Sequence, residues 1–164
     1  MNEQKLRLLV DEYGRRLTNF CLYLTRSRED AEDLYQETWL KVYRFFRQYD
    51  DAQPFDKWLF TVCANTFKNQ LKKKKRTQET IYEESLLTAQ LAGPGHPDDA
   101  GQDEVRDAVL RLSPKLRTVT VLFYYNDYSV AHIADILNIP KGTVQSRLHK
   151  ARQQLKEDLA YEQQ

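Results

Sequence analysis

The sequence predicts an all-α protein of two small helical domains joined by a flexible linker. Three observations carry that prediction. Apolar residues recur at three- and four-residue steps in both halves of the chain. No segment alternates with period two for long enough to argue a strand. The helix-breaking residues are gathered: Gly93, Pro94, Gly95, Pro97 and Gly101 fall within LAGPGHPDDAGQ, half of all the glycines and prolines in 164 residues. The expected boundaries are 1–76 for the first domain, 77–104 for the linker and 105–164 for the second domain.

The first helix is read from Leu6, Leu9, Val10, Tyr13, Leu17, Phe20 and Leu24, which share one helical face. Ser27 is expected to cap the next helix, with Asp30 three residues later as a capping-box variant. That helix carries Ala31, Leu34, Tyr35, Thr38, Val42, Phe45 and Phe46. Pro54 breaks the chain, and a third helix follows with Phe55, Leu59, Val62 and Phe67, ending in Lys72-Lys73-Lys74-Lys75-Arg76. In the second half Ser113-Pro114 reads as a helix start, with serine as cap and proline in the first position. Leu116, Val119, Val121, Leu122 and Phe123 continue that helix. Ser129 caps a short helix with Val130, Ile133, Ala134 and Leu137, and Asn138 stands where a positive φ ends it. The last helix begins near Gly142, with Val144, Leu148, Ala151 and Leu155 inward.

Composition narrows the function by exclusion. Net charge is +1, so any nucleic-acid partner has to be argued from where charge lies, not from its sum. There is no apolar run near 18 residues, and MNEQKLRLLVDEYGRR lacks the apolar core of a signal peptide, so a cytoplasmic location is expected. Cys21 and Cys63 both lie in apolar helical patterns, the setting of buried reduced thiols. No glycine-rich phosphate loop, zinc spacing or nucleophile motif is present, so neither a cofactor nor a catalytic site is expected.

The strongest functional signal is C-terminal. A short capped helix, the tight turn Asn138-Ile139-Pro140 and a second amphipathic helix make a helix-turn-helix. The polar face of the second helix offers Thr143, Gln145, Ser146, Arg147, His149 and Lys150, with no acidic residue from Lys141 to Arg152. Such side chains reach phosphates and the base edges of the major groove. The basic run of the third helix, with Lys68, is a second candidate for a polyanion, since adjacent like charges repel until one neutralises them. Tyr49, Phe55, Trp58 and Phe67 lie nearby and have the chemistry to stack on unpaired bases, although Phe55 and Phe67 are expected mostly in the core. Glu29, Asp30, Glu32, Asp33 and Glu37 form an acidic cluster with no His or Cys beside it in sequence. A protein-binding face fits it better than a metal site.

Taken together these residues resemble the extracytoplasmic-function (ECF) subgroup of bacterial RNA polymerase sigma factors, over nearly the whole chain and in order. Asp30 to Trp39, DAEDLYQETW, is similar to the region 2 motif that docks on the polymerase β′ subunit, which implies polymerase contacts for Asp33, Gln36 and Glu37. Phe55-Asp-Lys-Trp-Leu59 and Asn65-Thr-Phe-Lys-Asn69 resemble the segments that melt and read the −10 element. The implied −10 residues are Phe55, Trp58, Asn65, Lys68, Asn69, Lys72 and Lys73, with the Asp50–Pro54 loop holding a flipped-out base. Gly142 to Arg152 resembles the helix that reads the −35 element, through Thr143, Gln145, Ser146, Arg147, His149 and Lys150. Asn69 stands where many members have Asp, and Gln145 where many have a basic residue.

The resemblance implies a non-catalytic subunit that recognises −35 and −10 elements and assists promoter opening. Its partners would be the β′ and β subunits of core polymerase, promoter DNA and an anti-sigma factor, often membrane-bound, with no small-molecule substrate. Polymerase, rather than contact between the two domains, is expected to set their separation. Two rival readings are a self-sufficient dimeric helix-turn-helix regulator and a small nucleic-acid enzyme. The first has no need of the acidic motif, and the second lacks a nucleophile or metal cluster.

Overall fold

The computed structural model describes residues 1–84 and 103–162. Among the described residues there are seven α-helices, one short 3₁₀ turn and no strand. The GPGHP stretch lies outside them.

The first unit consists of α1 (Glu3–Leu24), α2 (Arg28–Phe45) and α3 (Phe55–Glu84), with the 3₁₀ turn at Phe46–Gln48 after α2. Asn2, which carries no sequence expectation above, caps α1 by accepting from the Lys5 amide at 2.9 Å. Ser27 caps α2 as expected, accepting from the Asp30 amide at 3.0 Å. Gly14 is buried where α2 crosses α1: a Cβ there would come within 3.0 Å of the Tyr35 hydroxyl. The α1 stripe meets α2 and α3 in a core where Leu17, Phe20, Leu24, Leu34, Val42 and Leu59 are fully buried. Phe20 meets Phe60 edge to face, ring centres 5.0 Å apart, an arrangement that adds to simple area burial. Cys21 and Cys63 are buried free thiols, Sγ atoms 3.9 Å apart; their contact and burial push the Cys21 thiol up, which keeps it unreactive.

One helix departs from expectation. α3 does not stop at Arg76 but runs on to Glu84, so the lysine run lies within the helix and not at its end. The reason is local: Lys, Arg, Gln and Glu are all good helix formers, and no glycine or proline intervenes before Gly93. Thr77 adds a bond from its hydroxyl to the Lys73 carbonyl at 3.0 Å.

The second unit contains α4 (Asp103–Arg111), α5 (Pro114–Tyr124), α6 (Val130–Leu137) and α7 (Lys141–Glu162). Pro114 is in the first turn of α5 as expected, but Ser113 makes no side-chain capping bond. Its φ of −57° and ψ of 152° set the chain direction, while Pro114 removes one of the amides a cap would satisfy. Ser129 does cap α6, accepting from the His132 amide at 3.2 Å. Asn138 ends α6 in the left-handed region at φ 52°, giving the tight turn into α7. Val144, Leu148 and Ala151 are buried under α7, seating it against α4, α5 and α6.

The two units are not independent. α5 packs on α1 and α6 on α3, and one continuous apolar cluster includes Phe20 and Phe60 from the first unit and Leu122, Tyr128, Ile133 and Ile136 from the second. In this structure the halves therefore touch directly, an arrangement the sequence left open; the expectation that polymerase sets their separation concerns the polymerase-bound chain. The cause is residue chemistry that composition does not reveal. α1 has no basic residue in its last turn, and its terminal carbonyls accept instead from arginines of the other unit. Arg106 donates to the Leu22 carbonyl at 3.0 Å, and Arg117 to the Leu24 carbonyl at 2.5 Å. Carbonyls at a helix C-terminus favour cations.

Candidate protein and nucleic-acid interfaces

The acidic motif of α2 divides by partner. Asp33 and Gln36 are exposed. Glu37 is half-buried and engaged on both oxygens, receiving Gln70 Nε2 at 2.6 Å and Lys41 Nζ at 3.1 Å. Burial alone would raise its carboxyl; the hydrogen bonds from Gln70 and Lys41, with the charges of Lys41 and Lys73, hold it below its ordinary value. Asp30 pairs with Lys74 at 2.7 Å. Helical spacing places Leu40 and Tyr43 in line with Asp33 and Gln36, and both are exposed, at 67% and 53%. Apolar side chains in line with a carboxylate and an amide suit a protein partner.

α3 presents a different stripe. Asn65, Lys68, Asn69, Lys72 and Lys73 are all exposed and recur at helical spacing. Between this stripe and α2 lies an open groove of about 820 Å³, lined among others by Asp33, Gln36, Glu37, Asn69, Lys73 and Lys74. The acidic face and the basic stripe are therefore two walls of one feature, which sequence separation concealed.

At the start of α3 the aromatics form a cluster. Tyr49 meets Phe55 at right angles, 5.5 Å between centres, and Trp58 at 5.2 Å, while Phe46 meets Trp58 at 6.3 Å. Phe55 and Phe67 are buried core residues, as expected, and Trp58 is half-buried. The Asp50–Pro54 loop is a closed turn. Gln53 donates its amide to the Asp50 carbonyl at 2.9 Å, Asp50 accepts from the Ala52 amide at 3.0 Å, and the Tyr49 hydroxyl donates to the Gln53 carbonyl at 2.6 Å. Tyr49 was legible only as an aromatic; its role as the pin of this loop needed the fold.

In α7, Gln145, Ser146, His149 and Lys150 share one exposed face, flanked by half-buried Thr143 and Arg147. Ser146 turns its hydroxyl back to the Thr143 carbonyl at 3.1 Å. Gly142 is exposed, and a Cβ there would meet nothing within 4 Å. A capped helix, a left-handed turn and a second helix with an exposed polar and cationic face make this a helix-turn-helix.

Among the described residues no cluster of His, Cys, Asp and Glu is arranged to hold a metal, and no helix is long and apolar enough to cross a membrane.

Two all-helical units of this kind, one with an acidic and basic groove and one with a helix-turn-helix, define a two-domain transcription initiation factor. Residues 9–77 match Sigma-70 region 2 and residues 102–155 match Sigma-70 region 4. The ECF RNA polymerase sigma factor SigW of Bacillus subtilis is 31% identical over 162 residues, covering 92% of this chain and 87% of SigW. SigL of Mycobacterium tuberculosis, also an ECF RNA polymerase sigma factor, is 33% identical over 156 residues, covering 89% of this chain and 84% of SigL. The sigma factor RpoE of Bartonella quintana, solved with the anti-sigma factor NepR, superposes with a TM-score of 0.75 at 25% identity, covering 96% of each chain. CnrH, solved with the cytosolic domain of CnrY, superposes with a TM-score of 0.71 at 19% identity, covering 98% of this chain and 90% of CnrH, and shares the fold.

The chain belongs to the ECF sigma factors of RNA polymerase. It acts in transcription initiation, in promoter recognition. Sigma factors are non-catalytic initiation factors.

Proposed function

We propose that the chain docks on core polymerase, through its β′ and β subunits, by the outer face of α2. Asp33 and Gln36 make the direct contacts, and Glu37 holds the adjoining wall through Gln70 and Lys41. The α3 stripe of Asn65, Lys68, Asn69, Lys72 and Lys73 then follows the −10 element as it opens, with Trp58 and the Tyr49-pinned loop at its upstream end. Cations spaced along one helix face suit a single strand, whose affinity rests on phosphate neutralisation and base stacking. Phe55 supports that surface from beneath. The α7 face of Thr143, Gln145, Ser146, Arg147, His149 and Lys150 reads the −35 element in the major groove. The working location is the cytoplasm, with no cofactor, and an anti-sigma factor is the expected silencing partner, in keeping with the likeness to RpoE bound to NepR.

The observation that carries this reading is the shared groove between α2 and α3, in which the Asp33 face and the Lys73 face stand side by side. A protein that must grip polymerase and opened DNA at once needs those two surfaces adjacent. The test is co-elution with bacterial core RNA polymerase, wild type beside Asp33→Ala/Glu37→Arg. Wild type is expected to join core and the variant to lose it. A wild-type chain that ignores core yet binds DNA as a dimer would transfer the reading to a self-sufficient regulator.

A further inference from the structure

The inner side of α7 is held by contacts that press the helix down without fixing its angle. Val144, Leu148 and Ala151 are buried beneath it, and apolar burial is non-directional. Directional restraint comes first at the start of the helix. There the left-handed Asn138 bonds through its amide to the Ala134 and Asp135 carbonyls of α6, and the Ile139 amide bonds to Ala134 at 3.1 Å. A swing of about 10° about that turn would still move Lys150, about 15 Å along the axis, by roughly 2.6 Å. A hydrogen bond to a base edge does not survive such a displacement. The reading face needs a second directional tie further along.

Arg152 supplies it. Arg152 stands seven residues past Gln145, about two turns, so it continues the same line of the helix. In residue order it reads as one more cation for DNA. The structure turns it onto α5 instead. Its Nε donates to the Tyr124 hydroxyl at 2.6 Å, and its guanidinium lies 5.5 Å from the Phe123 ring centre and 5.7 Å from that of Tyr124. A planar guanidinium stacks and donates at once, which a lysine ammonium does less well. The anchor is firm. The Phe123 and Tyr124 rings meet edge to face at 5.0 Å, and the chain just beyond them is bonded back onto α5. The Tyr125 amide and Asn126 Nδ2 both donate to the Val121 carbonyl, at 3.0 and 3.2 Å, and the Tyr128 amide donates to Leu122 at 3.1 Å. Among the described residues the next side-chain tie along α7 is Asp158 with Arg111 at 3.6 Å, more than a turn nearer the helix end.

We propose that Arg152 is a positioning residue for −35 recognition: clamped on Phe123 and Tyr124, it sets the angle at which α7 presents Gln145, His149 and Lys150, and itself makes no contact with DNA. The proposal rests on the reading of α7 as the −35 helix. It predicts that cutting the clamp costs sequence discrimination and leaves the number of neutralised phosphates unchanged.

The experiment measures how well the full-length chain discriminates between two short duplexes, one selected by the wild type from a randomised pool and one of scrambled sequence. Tyr124→Phe removes only the hydroxyl that receives Arg152, on a helix outside the reading face. Arg152→Lys keeps the charge and loses the planar fork. Each is expected to lower the ratio of the two affinities about threefold or more. Affinity for the scrambled duplex, and the slope of log affinity against log salt, should stay as in the wild type. Gln145→Ala should cost discrimination in the wild type and little more in either variant, because the two residues act through one geometry. A phosphate contact gives the opposite pattern: Tyr124→Phe and Arg152→Lys behave as wild type, and Arg152→Ala flattens the salt slope by about 0.9. That pattern would overturn the proposal, as would unchanged discrimination in both variants. Equal loss of affinity for both duplexes, the mark of general damage to the fold, would overturn it too. A wild type that selects no sequence would instead bring down the −35 reading of α7.

Discussion

α3 and α7 are both long helices with a cationic face, but they hold that face differently. Along α3 two groups bordering the groove are already engaged across it, Lys74 with Asp30 and Gln70 with Glu37. Along α7, Gln145, His149 and Lys150 make no side-chain hydrogen bond or ion pair among the described residues, while Ser146 bonds back to the Thr143 carbonyl and Arg152, further along, donates to the Tyr124 hydroxyl. A reader of intact duplex meets a regular partner and gains from a free, pre-formed face. On the proposed reading, a partner on the α2–α3 groove would meet side chains that are already paired with one another. The difference is that two groove-side groups of α3 are tied to α2, whereas the exposed face of Gln145, Ser146, His149 and Lys150 on α7 is tied to no other helix among the described residues.

The largest test of that contrast is Phe60→Ala. Phe60 is fully buried and meets both Phe20 and Tyr128, so its loss should cost about 3–5 kcal/mol in denaturant melts and weaken both α3 and its contact with the second unit. Next, Arg147→Ala or Lys150→Ala should weaken binding to a −35 duplex by roughly 1–3 kcal/mol if either side chain meets a base, measured by titration at fixed salt. Binding of a single-stranded −10 oligonucleotide by the holoenzyme should be unchanged. Lys73→Glu/Lys74→Glu should do the reverse, lowering promoter opening and flattening its salt dependence, with −35 affinity intact. Open-complex formation indifferent to that pair would break the assignment of the α3 stripe.

A smaller effect separates the two units by acid. Glu37 has a folded-state carboxyl below its ordinary value, so its stabilising contribution is present at neutral pH and is lost as pH falls through the ordinary carboxylate range and below it. Glu37→Gln should flatten the acid limb of a pH–stability curve, whereas Gln145→Ala should leave it as it is. Smallest is Ser129→Ala, expected to cost about 1 kcal/mol by removing the α6 cap. Ser113→Ala should cost less, because Ser113 makes no capping bond.

Much of the architecture was legible in residue order. The stripe of α1, the Ser27 and Ser129 caps and the left-handed Asn138 follow from local rules: side-chain periodicity, an oxygen placed to accept an amide, and an amide side chain that tolerates positive φ. The α7 face was legible for the same reason, since a helix-turn-helix is built from neighbours in sequence. The true end of α3 was not, because a run of like charges reads as a terminus although its residues favour helix. Nor was the doubly held state of Glu37, whose partners include a residue 33 positions away.

The sequence by itself determined most of the helices, the Ser27 and Ser129 caps, the division into two halves and the chemistry of each exposed face. All of these depend on interactions within a few residues, where backbone geometry leaves few options. Only the tertiary structure decided that the acidic and basic faces line one groove, that Tyr49 pins the loop before α3, and that Arg106 and Arg117 close the end of a helix more than 80 residues earlier. Apart from the local Tyr49 bond, these contacts join groups distant in sequence, and they exist only because the apolar faces of separate helices pack together. No local pattern records that packing.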